Sequence, residues 1–161
     1  MFDDFFGLPL HAFIVHTTVV VLPAVAMLAV AFVAVPSWRW LTRWPLVLGA
    51  AGVPVLTWVT IKAGESLQEA IGLDSALIDT HASRAQLLLY YSVAFAVLAV
   101  VAAFALGGPS PLVSGAGSRR GLARPLQVGV GVALVVASAL VLVQVVLTGD
   151  AGSRAVWDGV V

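Results

Sequence analysis

The chain has no cysteine. Disulfides, cysteine-ligated zinc or iron–sulfur clusters and covalently attached c-type haem are therefore excluded. Methionine is confined to Met1 and Met27, too few for a thioether copper path. Charge is scarce as well: Asp, Glu, Lys and Arg make up 10 % of 161 residues, where a soluble domain carries about a quarter. Formal net charge is +0, so nothing in the balance points to a nucleic-acid partner.

Those few charges leave four gaps. Residues 5–38, 44–61, 85–118 and 125–149 contain none and are dominated by Val, Ala, Leu and Phe. A bilayer core about 30 Å thick needs roughly 20 apolar helical residues, and each gap holds one such run. The sequence therefore predicts an all-α membrane protein, a single four-helix domain over 1–161 with helices near 13–35, 45–63, 83–106 and 126–148, arranged up and down. No Asp, Glu, Lys or Arg falls near a membrane midplane, which disfavours an ion-coupled carrier.

The charges also sort by sign. Arg39 and Arg43 lie in the 36–44 connection, and Arg119, Arg120 and Arg124 in the 107–124 connection, with no acid in either. Short loops rich in Lys and Arg stay in the cytoplasm. Both termini and the 64–82 connection are thus expected on the extracytoplasmic side of a bacterial plasma membrane. The N-terminus Met1-Phe2-Asp3-Asp4 lacks the basic segment of a signal peptide, so the first apolar run reads as a retained helix. Trp38, Trp40 and Trp44 fit the headgroup level. Leu67, Ala70, Ile71, Leu77 and Ile78 suggest a separate amphipathic helix on the outer rim. Gly129, Ala133 and Ala137 look like a small-residue packing stripe.

The three histidines, His11, His16 and His81, all fall at the outer end. The first and third helices run in the same direction and lie diagonally in an up-and-down bundle, so His16 and His81 are expected to face each other. The chain also reads as two hairpins of similar design, one running from His16 to Gly64-Glu65 and the other from His81 to Gly149-Asp150, related by an axis along the membrane normal. On this reading His16 and His81 are the ligands, with Glu65, Glu69 and Asp150 as further ligands or orienting partners, and His11 has a lesser part. Two imidazoles suit a b-type haem; imidazole with carboxylate suits a non-haem iron, zinc or manganese ion. A trans pair on one iron would set the ring nitrogens about 4 Å apart. The plain alternative is that Gly and an acid end each helix and the histidines sit at an interface. No nucleophile–base arrangement is legible, so the chain is not read as an enzyme by itself.

Leu8-Pro9-Leu10-His11-Ala12-Phe13-Ile14-Val15-His16 resembles the opening of a family of small actinobacterial four-helix membrane proteins catalogued as a domain of unknown function, with Ala12 where the family usually has proline. Ala63-Gly64-Glu65-Ser66-Leu67-Gln68-Glu69 with His81, and Thr148-Gly149-Asp150-Ala151-Gly152 through Trp157, resemble its later motifs. Some relatives are fused to a Rieske-type domain, and the resemblance accordingly implies electron transfer near the outer face. Two functions are in view: a haem- or metal-binding electron-transfer subunit, and a cofactor-free accessory subunit of a larger membrane or respiratory complex or a homo-oligomer.

Overall fold

A computed structural model describes residues 4–5, 8–72, 74–110, 114–115 and 118–157, with side chains from Pro9 onward. Two short strands, β1 (Asp4–Phe5) and β2 (Leu8–Pro9), pair antiparallel ahead of four helices: α1 (Leu10–Ala34), α2 (Arg39–Ile71), α3 (Ala76–Ala105) and α4 (Arg124–Trp157). The protein is an all-α four-helix bundle. Its shortest helix has 25 residues, which at 1.5 Å per residue is about 37 Å and spans a bilayer core. All four are apolar enough to cross, and within an apolar 18-residue stretch of each only 33 % is buried. The remaining apolar surface faces outward, as lipid requires and water would not reward.

Local chemistry sets the helix ends. Pro36 restricts Val35 to extended backbone (φ −120°, ψ 83°), which stops α1, and a 3₁₀ turn over Pro36–Trp38 leads into α2. Gly72 ends α2 in the left-handed region (φ 62°), its N–H donating to the Gln68 carbonyl. Ser75 then caps α3 by accepting the Ile78 N–H at 3.2 Å. The sequence had placed these ends too close to the apolar runs. Arg39 and Arg43 lie inside α2 rather than in a loop, and Glu65 and Glu69 extend the same helix to Ile71. Among the described residues there is no separate rim helix: Leu67, Ala70 and Ile71 end α2, and Leu77 and Ile78 begin α3.

Each helix turns one stripe inward at three- and four-residue spacing. Leu22, Val25, Ala29 and Phe32 of α1 meet Leu46, Ala50 and Val53 of α2, Leu88, Phe95, Ala99 and Ala102 of α3, and Leu134, Ala137 and Val141 of α4. Buried alanines let the backbones approach. The stripe expected on α4 is partly misplaced: Gly129 is exposed with open space around it, and Gly131 packs on α1 through Val33 instead. α1 and α3 each pack on both α2 and α4, so each pair of alternate helices lies across a diagonal.

The two ends of the bundle differ in chemistry. At one end, reached by the α1–α2 and α3–α4 connections, Arg39 is 8 % exposed and donates from Nε to the Phe32 carbonyl (2.8 Å), from Nη2 to Val33 (2.9 Å) and from Nη1 to Gly107. These are carbonyls at or just past the C-terminal ends of α1 and α3, which lack N–H donors within the helix and carry partial negative charge. A cation that satisfies them locks three helices together. The other end carries the start of α1, the α2–α3 turn and the last turns of α4.

Candidate functional site

His11 lies in the first turn of α1. Its Nδ1 is 3.0 Å from the backbone carbonyl of Thr60 on α2. His81 lies in the second turn of α3, and its Nδ1 is 3.0 Å from the backbone carbonyl of Thr148 on α4. A carbonyl only accepts, so each Nδ1 carries its hydrogen, and in the neutral ring Nε2 holds the free lone pair. The two receiving threonines match in their side chains too. Thr60 Oγ1 donates to Leu56 O at 2.8 Å, and Thr148 Oγ1 donates to Gln144 O at 2.7 Å, both one turn back along the helix.

One turn beyond each threonine stands a glycine. A Cβ on Gly64 would lie 3.1 Å from Nδ1 and Cε1 of His11, and one on Gly152 would lie 2.9 Å from Cε1 and 3.0 Å from Nδ1 of His81. Either contact is tighter than a well-packed core tolerates. Glycine is needed here for close approach, so that each imidazole can lie flush against the neighbouring helix. The repeated unit is a histidine, a threonine carbonyl and a glycine, built once in each hairpin.

The two units meet across the bundle. The rings of His11 and His81 are 6.4 Å apart between centroids, with planes at 85°. His81 is thus paired with His11 and not with His16, as the sequence had suggested. His16 is exposed, and its Nδ1 turns back to the Ala12 carbonyl of its own helix. The physical reason is the start of α1. With Leu10 already helical, His11 occupies the inward-facing register and His16, five residues on, falls elsewhere around the axis.

The matching bonds and glycines set a register different from the expected one. His11 corresponds to His81, Thr60 to Thr148 and Ala63-Gly64 to Ala151-Gly152. Buried positions follow suit, Val25 with Phe95, Ala29 with Ala99, and Val53 with Val141. In that register Asp150 matches Lys62 and not Glu65, and the expected match of Gly64-Glu65 with Gly149-Asp150 is three residues out.

The acids do not join the histidines. Glu65 is exposed and ion-paired with Lys62; Asp150 is exposed and paired with Arg154 at 2.9 Å; Glu69 is exposed. Among the described residues no three His, Asp or Glu side chains converge as a metal-ion site would require. Gln144, the strongly polar side chain inside α4, makes an interhelical hydrogen bond: its Nε2 donates to the Arg84 carbonyl, three residues after His81, at 2.9 Å, and Thr148 Oγ1 lies 3.3 Å from the same oxygen. In the first hairpin the corresponding tie is Thr18 Oγ1 to Thr60 Oγ1 at 2.7 Å. A cleft of about 110 Å³ opens between α3 and α4 at this end, bordered by Thr80, Arg84, Asp150, Ala151 and Arg154.

The fold and this paired histidine site define a four-helix bundle with membrane-spanning helices and two imidazoles held across its axis. No family model, curated protein or solved structure matches the chain.

Proposed function

We propose that this protein is a redox subunit of the bacterial plasma membrane in which His11 and His81 hold a b-type haem iron near the extracytoplasmic end. The carrying observation is the pair of imidazoles 6.4 Å apart. Rings this close would serve one iron through their two Nε2 atoms. The donor set fits in chemistry as well. Each Nδ1–H is held by a carbonyl, the arrangement that fixes the tautomer and offers Nε2 as a ligand. Two histidines, with no third His, Asp or Glu beside them among the described residues, would suit a haem iron better than a bare zinc or manganese ion. Iron so held would supply a reversible one-electron change.

The chain's own residues then orient and seal. Thr60 and Thr148 fix ring rotation, Gly64 and Gly152 admit the rings to the neighbouring helices, and the apolar core below excludes water. Electron transfer is also what the resemblance to a family with Rieske-fused members implies. The orientation follows from the basic residues in 36–44 and 107–124, which favour a cytoplasmic arginine end. Cysteines introduced at Ser66 and Ser118 should label from opposite sides, Ser66 from outside intact cells; labelling of both from one side would overturn that orientation.

A second reading is favoured by the histidines' own bonds, since each Nδ1–H already ties its helix to the next through a backbone carbonyl. On this reading the chain is a cofactor-free accessory subunit of a larger membrane complex, and the histidines only tie helices together. The absorption spectrum of the purified protein, with iron analysis, separates the two. A Soret band with iron supports the haem reading; a colourless, iron-free protein purified from haem-replete cells supports the accessory one.

A further inference from the structure

The arginine end carries an independent feature. Arg43 of α2 is 8 % exposed. Its Nη2 reaches the Leu106 carbonyl at 3.4 Å, at the outer limit for a hydrogen bond, and its buried Nε has no acceptor. A buried guanidinium nitrogen without an acceptor is costly. Arg39 beside it already serves three carbonyls.

Arg119 comes to the same end of α3. Its backbone pairs with Gly108, and its Cζ stands 5.3 Å from the Phe104 ring centre, a ring that Trp44 also meets edge-on at 6.4 Å. Arg120 and Arg124 follow, exposed. No ion pair joins any of these five arginines to a described carboxylate. Trp38, Trp40 and Trp44 lie at the same level, 56, 49 and 60 % exposed, where a membrane places its headgroups.

We propose that the rim between α2 and α3 at this end is a binding site for the phosphate of one anionic phospholipid, held by Arg43 and Arg119, with Trp44 and Phe104 against its glycerol and upper acyl chains. A guanidinium takes a phosphate oxygen through its N–H edge, here from the exposed Arg119 and from the Nη side of Arg43, whose Nε is buried. A lipid is favoured over a soluble phosphate because the cations are framed by exposed tryptophan and apolar helix surface. Basic pockets between transmembrane helices recognise headgroups in this way.

The test is native mass spectrometry of the full chain after equilibration with equal amounts of phosphatidylglycerol and phosphatidylcholine. The expected result is one retained phosphatidylglycerol, preferred by about fivefold or more. Arg119→Gln, which removes an exposed side chain and leaves the helices alone, should cut that preference about fivefold, and Arg43→Gln should lower it further. Lys62→Gln, at the opposite end, should leave it unchanged. Equal retention of the two lipids, or the same loss from Lys62→Gln as from Arg119→Gln, would overturn the site. Displacement of the lipid by inorganic phosphate, beyond that by chloride at equal ionic strength, would reassign the arginines to a soluble phosphate and overturn the lipid.

Discussion

The two hairpins share a frame and diverge at one end of it. At the histidine end they agree group by group: His11, Thr60 and Gly64 in the first, His81, Thr148 and Gly152 in the second, with the same 3.0 Å bond from Nδ1 to a helical carbonyl. At the arginine end the same register sets Arg39 against Gln127 and Arg43 against Gly131. Arg39 donates to the Gly107 carbonyl, while Gln127 accepts the Gly107 N–H at 3.3 Å. One hairpin carries buried cations there and the other does not. A site on the pseudo-two-fold axis needs both halves to contribute the same group, and the halves agree where the axis passes between two imidazoles. Where each hairpin only has to close its own helix ends, they differ.

The largest effect should come from breaking the asymmetric end. Arg39→Ala leaves the carbonyls of Phe32, Val33 and Gly107 without their cationic donor, a loss of about 3 kcal/mol. Its register mate, Gln127→Ala, gives up only neutral bonds, one from its own amide to Leu122 O and one from the Gly107 N–H, and should cost about 1 kcal/mol. Thermal unfolding of both variants in detergent compares them; equal destabilisation would mean that the guanidinium is not the clamp described.

Next come the glycines. Gly152→Ala places a methyl 2.9 Å from His81, and Gly64→Ala places one 3.1 Å from His11. Displacing a carbonyl-bound ring should cost about 2 kcal/mol at Gly152, less at Gly64. Gly129→Ala meets nothing within 4 Å and should be neutral. The same unfolding assay would contradict the packing role if all three behaved alike.

The smallest effect concerns the threonine hydroxyls. Thr60→Val removes the bond to Thr18, and Thr148→Val the bond to Arg84 O. Each should cost about 0.6 kcal/mol, the usual worth of a side-chain bond inside a membrane protein. The carbonyls that hold the imidazoles are backbone groups and survive both changes, so any cofactor signal should persist. Its loss in Thr148→Val alone would mean that the two halves are not equivalent.

The four helices were legible because uncharged apolar runs of this length have few other uses. Their ends are not, because a charge marks the edge of an apolar run and not the end of a helix. Arg39, Arg43, Glu65 and Glu69 are all helical: the first two find carbonyls to bind, and the last two project from the turns beyond the apolar stretch. The site was half legible. His81 and the diagonal placement of α1 and α3 follow from spacing and topology, but a helix that starts near residue 13 leaves His11 before it and hands its role to His16. The clue lay in the repeated pairs His11-Ala12 with His81-Ala82 and Ala63-Gly64 with Ala151-Gly152. Aligning on those glycines, and not on Gly-acid pairs, sets the threonines in step and brings His11 opposite His81.

The most direct measurement is the oxidised and dithionite-reduced absorption spectrum of purified wild-type protein beside His11→Ala, His16→Ala and His81→Ala, each checked for membrane insertion. The account predicts a Soret band that shifts on reduction in the wild type and in His16→Ala, with the band lost in His11→Ala and His81→Ala while all four insert. A band that survives loss of His11 and disappears with loss of His16, or no band in any of the four, would contradict it.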